Sequence, residues 1–267
     1  MIVIKIGGSK GTDYQAICAD VAERVKRGDA IVVVHGGSHE TNVLSEALGH
    51  PPRFVTSVSG HESRRTDRQT METFMMAVAG KVNTLIVEAL QRLGVNAVGL
   101  SGVDGRLLEG KRKDHIKIIE DGKRKIVRDD FTGKVEKVNA ALIRLMLDNG
   151  YTPVIAPIAI STNHEAMNVD GDRAAAMIAA ALGADNLVIF SNVPGLLKDI
   201  NDPSSLIDRI PIARLGEFEK YAAGRMKKKL LGAREALENG LKSVTLCDGR
   251  VAKPLTVALQ GKGTVIG

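Results

Sequence analysis

Short runs of β-branched apolar residues alternate with amphipathic segments along most of this chain of 267 residues. The runs predicted to form strands are 2–6, 30–34, 95–99, 152–156, 186–190, 243–246 and 264–266. Helical periods fill the segments between them; one predicted helix covers 14–27 and stops at Gly28. This alternation is typical of a mainly parallel sheet covered by helices on both faces. We therefore predict an α/β fold, a three-layer αβα sandwich with an open, mainly parallel central sheet.

The first predicted strand carries one lysine, Lys5, and ends at two glycines, Gly7 and Gly8. A buried ammonium without a partner is costly, so Lys5 fits this strand if an anion meets it at the strand end. The two glycines allow the backbone to approach a ligand closely and to point amides at it. The alternative is a strand followed by a tight turn, with Lys5 extending its stem to solvent.

The second predicted strand ends in His35, Gly36 and Gly37, and Ser38 is the predicted N-cap of a helix running to Leu48. A second glycine pair thus lies at the carboxyl end of a parallel strand and the amino end of a helix, where anions bind readily. Neither pair has the glycine spacing of a dinucleotide-binding fingerprint or a Walker loop. Together the two pairs favour a shared phosphate pocket.

Arg64 lies just ahead of a long predicted helix that opens with a predicted capping box of Thr66 and Gln69. An arginine in this position can hold a substrate carboxylate by two parallel hydrogen bonds. The alternative is that Arg64 is solvated. The preceding segment 50–63, with two adjacent prolines and Gly60, is predicted to be an irregular hairpin or lid.

Further candidate ligand-binding segments lie in the second half of the chain. Segment 168–172, Asn-Val-Asp-Gly-Asp, precedes an alanine-rich helix ending at Gly183, and either aspartate could cap that helix. Segment 191–195 places a turn at the carboxyl edge of the sheet, where ligands usually bind. Segment 224–229 puts three lysines ahead of a predicted helix at 230–238, where they oppose the helix dipole unless a phosphate lies among them.

The net charge of +6 and the isoelectric point near 9.3 favour anionic partners. Aromatic residues make up only 3% of the chain and Trp is absent, so stacking platforms for nucleic acid are scarce and we expect no nucleic-acid partner. Segment 107–130 is predicted to be a hairpin with Asp121 and Gly122 at its turn. Between Lys111 and Arg128 the chain has eight basic and three acidic residues, which indicates either a solvated face or docking of an acidic partner.

The two cysteines, Cys18 and Cys247, lie far apart in sequence and suggest neither a disulfide framework nor a metal site. We expect no metal ligands among the protein's side chains, and the six histidines form no recognisable acid–base constellation. No apolar run approaches the roughly 20 residues that span a bilayer, and Met1 leads directly into a strand. We therefore expect a cytoplasmic protein that does not interact with membranes.

Taken in order, these motifs resemble those of the amino acid kinase family, and the resemblance covers essentially the whole chain. The motifs are Lys5-Ile6-Gly7-Gly8, His35-Gly36-Gly37, Arg64 with Thr66-Asp67, Asn168 to Asp172, Ser191 to Gly195, and Gly224-Arg225-Met226 with Lys229. Within the family they are most similar to the acetylglutamate kinase group. Segment 50–64, which includes Ser59 and Gly60, resembles one branch of it, the kinases that phosphorylate α-aminoadipate or glutamate held on the small acidic amino-group carrier protein LysW.

The resemblance implies a carbamate kinase-like fold and a role for each matched residue. Lys5 and Lys229 match lysines that stabilise the transferring phosphoryl group, and Asp172 matches the carboxylate that orients both. The residues matched to the amides around the acceptor carboxylate and the phosphoryl group are Gly8, Gly36 and Gly37. The pair matched to the substrate's α-carboxylate and acylated nitrogen is Arg64 and Asn168. The residues matched to the nucleotide side are Gly7, Ser191, Asn192, Val193, Gly195 and Met226.

The resemblance also implies ATP with Mg²⁺ as phosphoryl donor. It assigns residues 1–170 to an N-terminal lobe for acceptor binding and dimerisation, and residues 171–267 to a C-terminal lobe for ATP. Acetylglutamate kinases lack much of segment 50–63, so LysW-bound α-aminoadipate, in lysine biosynthesis, is the expected acceptor. LysW-bound glutamate and free N-acetylglutamate, in arginine biosynthesis, are alternatives. A non-catalytic ATP-binding regulatory module is an alternative of another class.

Family members inhibited by arginine carry an extra amino-terminal helix, whereas this sequence opens on its first strand. The resemblance therefore predicts a homodimer without arginine feedback.

Overall fold

A computed structural model describes residues 1–58, 60, 62–120 and 122–267. Its strands are β1 (Ile2–Ile6), β2 (Ile31–His35), β3 (Phe54–Ser57), β4 (Glu62–Arg64), β5 (Ala97–Gly102), β6 (Leu108–Arg112), β7 (His115–Glu120), β8 (Lys123–Arg128), β9 (Gly133–Val138), β10 (Thr152–Ser161), β11 (Ala166–Asn168), β12 (Asn186–Ser191), β13 (Arg209–Ile210), β14 (Val244–Asp248) and β15 (Thr264–Ile266).

The helices are α1 (Tyr14–Lys26), α2 (Ser38–Ala47), α3 (Arg68–Met75), α4 (Thr84–Arg92), α5 (Ala140–Asp148), α6 (Gly171–Leu182), α7 (Leu215–Phe218), α8 (Arg225–Glu238) and α9 (Pro254–Leu259). A π-helical segment, Met76–Asn83, joins α3 to α4. Single 3₁₀ turns cover Asp104–Arg106, Pro203–Ser205, Ile212–Arg214 and Glu219–Tyr221.

The larger sheet has eleven strands, in the order β13, β15, β14, β12, β1, β2, β10, β6 and β9, with β5 and β11 also paired to β10. Strand β1 lies near the middle and runs parallel to both of its neighbours, β12 and β2. Only the pairs β14–β15, β10–β11 and β6–β9 are antiparallel among the described pairings of this sheet. The predicted open, mainly parallel α/β sheet is confirmed.

Helices cover both faces of this sheet, and β1 shows how its side chains are divided between them. Ile2, Ile4 and Ile6 pack in a cluster with side chains of α1, α4 and α9. Val3 packs in a second cluster, on the opposite face, with side chains of α5, α6 and α8. Because side chains alternate along a strand, Lys5 lies on the same face as Val3, under α6.

A second sheet of four strands, in the order β4, β3, β7 and β8, stands apart from the first. The predicted hairpin over 107–130 is therefore only partly correct. Strand β6 pairs with β9 in the main sheet, and only β7 and β8 form a hairpin. Gly122 has the positive φ of 72° that a tight turn needs, whereas Asp121, like Ser59, lies outside the described residues.

Helices α3 and α4 and the π segment between them form one continuous helix over Arg68–Arg92, of 25 residues. Its N-cap is Asp67, whose carboxylate accepts from the Thr70 amide at 2.9 Å, so the predicted capping box of Thr66 is wrong. Among the described residues this is the one helix long and apolar enough to cross a membrane by length and composition alone, contrary to our expectation that no run approached that length. Its π segment and α4 pack on β5, and the π segment also on β10, as a core helix does.

Candidate active site

The two glycine turns that follow β1 and β2 are packed backbone against backbone. A Cβ on Gly8 would lie 2.2 Å from the Gly37 nitrogen, and a Cβ on Gly36 would lie 2.8 Å from the Gly8 nitrogen. Ser38 is the first residue of α2 and Gly37 its N-cap, so the predicted Ser38 cap is wrong. Instead the Ser38 hydroxyl donates to the Gly8 carbonyl at 2.9 Å and ties one turn to the other.

Two backbone amides of these turns are available to a ligand, whereas a third predicted donor, the Gly36 amide, already donates to the Ile6 carbonyl at 2.9 Å. The amides of Gly8 and Gly37 have no hydrogen-bond acceptor within the part of the chain that the structure describes. Helix α2 also begins there without a side-chain cap. Free amides at a helix N-terminus attract anions, so the expected anion site at the carboxyl edge of the sheet has the donors it needs.

Lys5, Asp172 and Lys229 meet in one buried cluster. The Lys5 Nζ lies 2.8 Å from the Asp172 carboxylate, and the Lys229 Nζ lies 3.2 Å from it. None of the three is more than 8% exposed. Helix α8 begins at Arg225, earlier than predicted, so Lys229 projects from its second turn and not from a preceding loop. The structure thus brings together two lysines from opposite ends of the chain.

The ionisation of this cluster follows from burial and from the three charges. Burial opposes ionisation of Asp172, but Lys229 and Lys5 outweigh it and hold the pKa of Asp172 well below its ordinary value. Burial lowers the pKa of Lys229, which the charge of Asp172 partly opposes. Asp172 therefore stays a carboxylate at neutral pH and holds the two amines side by side.

The other aspartate of the motif, Asp170, has a different task. Its carboxylate caps α6 by accepting from the amides of Asp172 and Arg173, at 3.0 and 3.1 Å. Burial raises the pKa of Asp170, and the negative charge of Asp172 raises it further. Of the two aspartates that could cap this helix, Asp170 is the cap, which leaves Asp172 for the lysines.

Arg64 ends β4 and is buried beside α2. Its Nη2 donates to the Ser38 carbonyl at 3.0 Å, its guanidinium lies over the Phe54 ring, and its Nη1 is buried without a hydrogen-bond partner among the described residues. Burial, together with the charge of Arg225, lowers the pKa of Arg64 to about 10. An arginine with an unused buried donor fits an incoming carboxylate, and the predicted solvated alternative is wrong.

The Thr66 hydroxyl joins Arg64 to Asn168, a role that the sequence pattern did not predict. It donates to the Arg64 carbonyl and accepts from the Asn168 side-chain amide, each at 3.2 Å. The two predicted substrate-binding residues, 104 positions apart, are therefore linked through one side chain.

Strand β12 is the second neighbour of β1 and runs parallel to it, with Ile189 opposite Lys5. The turn after β12 therefore lies at the same carboxyl edge of the sheet as the glycine turns. The Ser191 hydroxyl donates to the Val193 carbonyl at 3.0 Å and so fixes the turn that contains Asn192. A Cβ on Gly195 would lie 2.5 Å from Thr264 Oγ1, which shows that this glycine allows close packing with β15. Met226 lies in the first turn of α8, partly buried against the core.

Two features near these residues had no sequence signal. The Arg225 guanidinium contacts the Ser9 hydroxyl and thus joins α8 to the first glycine turn. A cavity of about 200 Å³ lies behind the glycine turns, lined in part by Ile6, Tyr14 and Leu85. Since Ile6 and Lys5 point to opposite faces of β1, this cavity lies on the other side of the sheet from the lysine cluster.

Comparison with known proteins agrees with this geometry. The model of the amino acid kinase family matches residues 1–248 of the chain. The chain belongs to the amino acid kinase family. Relatives in this family include proteins named "[LysW]-aminoadipate kinase" from Deinococcus radiodurans, 57% identical over 100% of this chain and 91% of the relative, and from Thermus thermophilus, 51% identical over 100% of both chains. A protein named "Acetylglutamate kinase" from Methanopyrus kandleri is 37% identical over 100% of both.

The family fold is also found in solved structures. Carbamate kinase from Giardia superposes with a TM-score of 0.68 at 18% sequence identity, over 99% of this chain and 97% of that one. The expected carbamate kinase-like fold is confirmed.

Proposed function

We propose that this protein is an ATP-dependent kinase that phosphorylates the side-chain carboxylate of α-aminoadipate held on an acidic, LysW-like carrier protein, giving an acyl phosphate in lysine biosynthesis. The observation that carries the proposal is the convergence of Lys5 and Lys229 on Asp172, beside two glycine turns with free amides. The names of the two relatives above half identity support the acceptor.

The proposed reaction needs no general base. A side-chain carboxylate has an ordinary pKa near 4 and is ionised at neutral pH. The difficulty is that an anionic nucleophile must approach an anionic γ-phosphoryl group in line, so catalysis is positioning plus neutralisation of charge. In our proposal Lys5 and Lys229 neutralise the transferring group from its two sides, Asp172 aligns them, and the amide of Gly8 donates to the same group.

The remaining roles in the proposal follow the positions of the side chains. Gly37 presents its amide to the acceptor carboxylate, and Gly36 allows the close packing on Gly8 that positions this turn, because its own amide donates to the Ile6 carbonyl. Arg64 with Asn168 holds the amino-acid part of the substrate. The residues assigned to the nucleotide side are Gly7, Ser191, Asn192, Val193, Gly195 and Met226. We accordingly assign residues 1–170 to a lobe for acceptor binding and dimerisation and residues 171–267 to a lobe for ATP.

ATP and its magnesium ion fit the groups at this site. Two buried ammonium groups and the uncapped N-termini of α2 and α8 suit a polyphosphate. Across the described ranges, no group of three or more His, Cys, Asp and Glu side chains is arranged to hold a metal ion. In our proposal Mg²⁺ enters on the phosphates of ATP, where it supplies further positive charge for the transferring group.

The proposed docking surface for the carrier is one face of the four-stranded sheet, which we call the basic face. Directly paired strand residues point to the same side, so the register gives its members. They are Phe54, Thr56, Glu62, His115, Lys117, Ile119, Arg124, Ile126 and Arg128. Arg64 pairs with Phe54 and lies on the same side, so this face leads directly to the proposed acceptor site.

The composition of the basic face suits an acidic protein. Ile119 and Ile126 are 44% and 55% exposed, and basic side chains surround them. Such a mixture of exposed apolar and cationic groups allows both burial of apolar surface and electrostatic steering. Arg112, which also lies in the basic segment 111–128, is not part of this face. Its guanidinium lies 4.4 Å from the Phe131 ring centroid and 3.2 Å from Glu165, so it is held within the fold.

Docking is tested by the double charge reversal Arg124→Glu with Arg128→Glu, two exposed members of the basic face on the edge strand β8. We expect the KM for carrier-bound substrate to rise about tenfold or more, with little change in turnover and a weaker dependence on salt. The control is Lys26→Glu with Lys242→Glu, which makes the same charge change at exposed positions shortly before β2 and β14 of the main sheet. Equal KM values for the two double variants would refute docking on the basic face.

The acceptor is tested by a phosphorylation assay with LysW-bound α-aminoadipate, LysW-bound glutamate and free N-acetylglutamate. We expect ATP consumption with the first substrate. Preference for N-acetylglutamate, which the 37% identical relative favours, would replace the proposed acceptor. ATP binding without consumption in the presence of every acceptor would instead identify a regulatory module.

The proposal also includes a homodimer in the cytoplasm. Met76 lies in the long helix and is 51% exposed, and an exposed methionine is suited to a subunit contact. Light scattering of the purified protein would measure the assembly directly.

A further inference from the structure

His35 is fully buried immediately before the second glycine turn, and both of its ring nitrogens have partners. Nδ1 lies 2.9 Å from the carbonyl oxygen of Gly36, and Nε2 lies 3.0 Å from the side-chain nitrogen of Asn83. A carbonyl can only accept, so Nδ1 must carry the proton. Nε2 is then the acceptor for Asn83, whose Nδ2 also donates to the Val154 carbonyl at 2.9 Å.

The π segment at the middle of the long helix is shaped to support this arrangement. It brings Asn83 under His35, and Gly99 on β5 leaves room for the amide, since a Cβ there would lie 2.1 Å from Asn83 Oδ1. The same segment supplies Val78, which packs so closely on Gly37 that a Cβ on that glycine would lie 2.6 Å from it. π-helical turns often occur at functional sites.

We propose that His35 and Asn83 are positioning residues for the phosphoryl transfer. The Nδ1–H of His35 holds the Gly36 carbonyl, and because the peptide is planar and trans, this fixes the Gly37 amide in the opposite direction, toward the substrate. Asn83 keeps the ring in the tautomer that can do this. The inference rests on the proposed function and adds to it the residues that pre-organise one of the proposed amide donors.

The environment of His35 agrees with a fixed neutral ring. Burial, together with the charge of Lys5, lowers the pKa of His35 to about 4, although the hydrogen bond to Gly36 partly opposes this. The ring therefore neither gains nor loses a proton near neutral pH, and its only contribution is through its two hydrogen bonds.

Two substitutions separate those hydrogen bonds. His35→Asn places an amide nitrogen near the position of Nδ1 and can keep the donation to Gly36, whereas His35→Gln reaches the position of Nε2 and keeps only the link to Asn83. We expect His35→Asn to stay within about fivefold of wild-type turnover, and His35→Gln to lose about a hundredfold, the scale of one lost donor. The KM for ATP should change less than about threefold in both. Equal turnover of the two variants, or losses that follow their melting temperatures, would overturn the proposal.

A second comparison covers the case in which His35→Gln fails to fold. Asn83→Ala should reduce turnover at least about fivefold more in the wild-type background than in the His35→Asn background, where Asn83 no longer sets a tautomer. Equal reductions in both backgrounds would overturn the inference. In the same assay an inactive wild-type protein would refute the proposed function, whereas an active wild type with equal variants would refute only the role of His35 and Asn83.

Discussion

Removal of the Lys229 ammonium tests the catalytic proposal most directly. Two ammonium groups and one carboxylate give the buried cluster a formal charge of +1, and Lys229→Ala reduces it to zero. The Lys5–Asp172 pair at 2.8 Å remains, so no charge is left buried without a partner. If Lys229 contacts the phosphoryl group only in the transition state, its loss should cost about 2.7–4 kcal/mol, or roughly 100- to 1,000-fold in turnover.

The assay is steady-state turnover at saturating ATP and acceptor, with circular dichroism to verify folding. The control is Lys227→Ala, two residues earlier in the same helix, which removes the same charge from an exposed position. We expect Lys227→Ala to keep wild-type turnover within about twofold, because an exposed charge at this distance is screened by solvent. Turnover of Lys229→Ala within threefold of that control would remove Lys229 from the mechanism.

Two further predictions concern the glycine turns and the buried histidine. Gly8→Ala should lower both turnover and melting temperature, since its Cβ would lie 2.2 Å from a backbone nitrogen. The control is Gly80→Ala, whose Cβ would have no atom within 4 Å, and it should keep turnover and gain about 0.5–1 kcal/mol in the free energy of unfolding. Equal melting temperatures of the two variants would contradict the packing argument. Because burial lowers the pKa of His35 from 6.5 to about 4, the unfolded chain binds its proton more readily, so the free energy of unfolding should fall by about 3 kcal/mol as pH falls from 7 to 4. Urea titrations of wild type and His35→Asn should therefore converge toward acid pH, and curves that stay parallel would refute this assignment.

The sequence pattern predicted the elements that bury a continuous apolar run. Strands β1 and β15 have the predicted bounds, and the other predicted strands differ by a few residues at their ends. The glycine pairs lie at the carboxyl edge of the sheet as predicted, because the position of a parallel strand's end follows from the strand itself.

Features that depend on tertiary contacts were less predictable. Segment 107–130 reads as one hairpin, yet β6 finds a better partner in β9, and only the folded chain brings these strands together. Ser38 and Thr66 are good caps by residue type, but Gly37 and Asp67 are the caps. The Ser38 hydroxyl donates instead to the Gly8 carbonyl, and the Thr66 hydroxyl donates to the Arg64 carbonyl and accepts from the Asn168 side chain.

The convergence of Lys5, Asp172 and Lys229 could be inferred only from the family resemblance. Nothing in the local pattern around Lys229 separates it from the two lysines before it, and only its burial in α8 does so. The link from His35 to Asn83 had no sequence signal at all, since a π segment has no pattern distinct from that of an ordinary amphipathic helix.

The position of β1 between β2 and β12 has a consequence for biosynthesis. Strand β1 leaves the ribosome well before β12 and lacks one of its two neighbours until residues 186–191 have been made, and Lys229 follows later still. Contacts of such large sequence separation close slowly, so a nascent chain exposes one side of its central strand for most of its translation. Chaperone capture of ribosome-bound fragments ending before β12 should therefore exceed capture of those that include it.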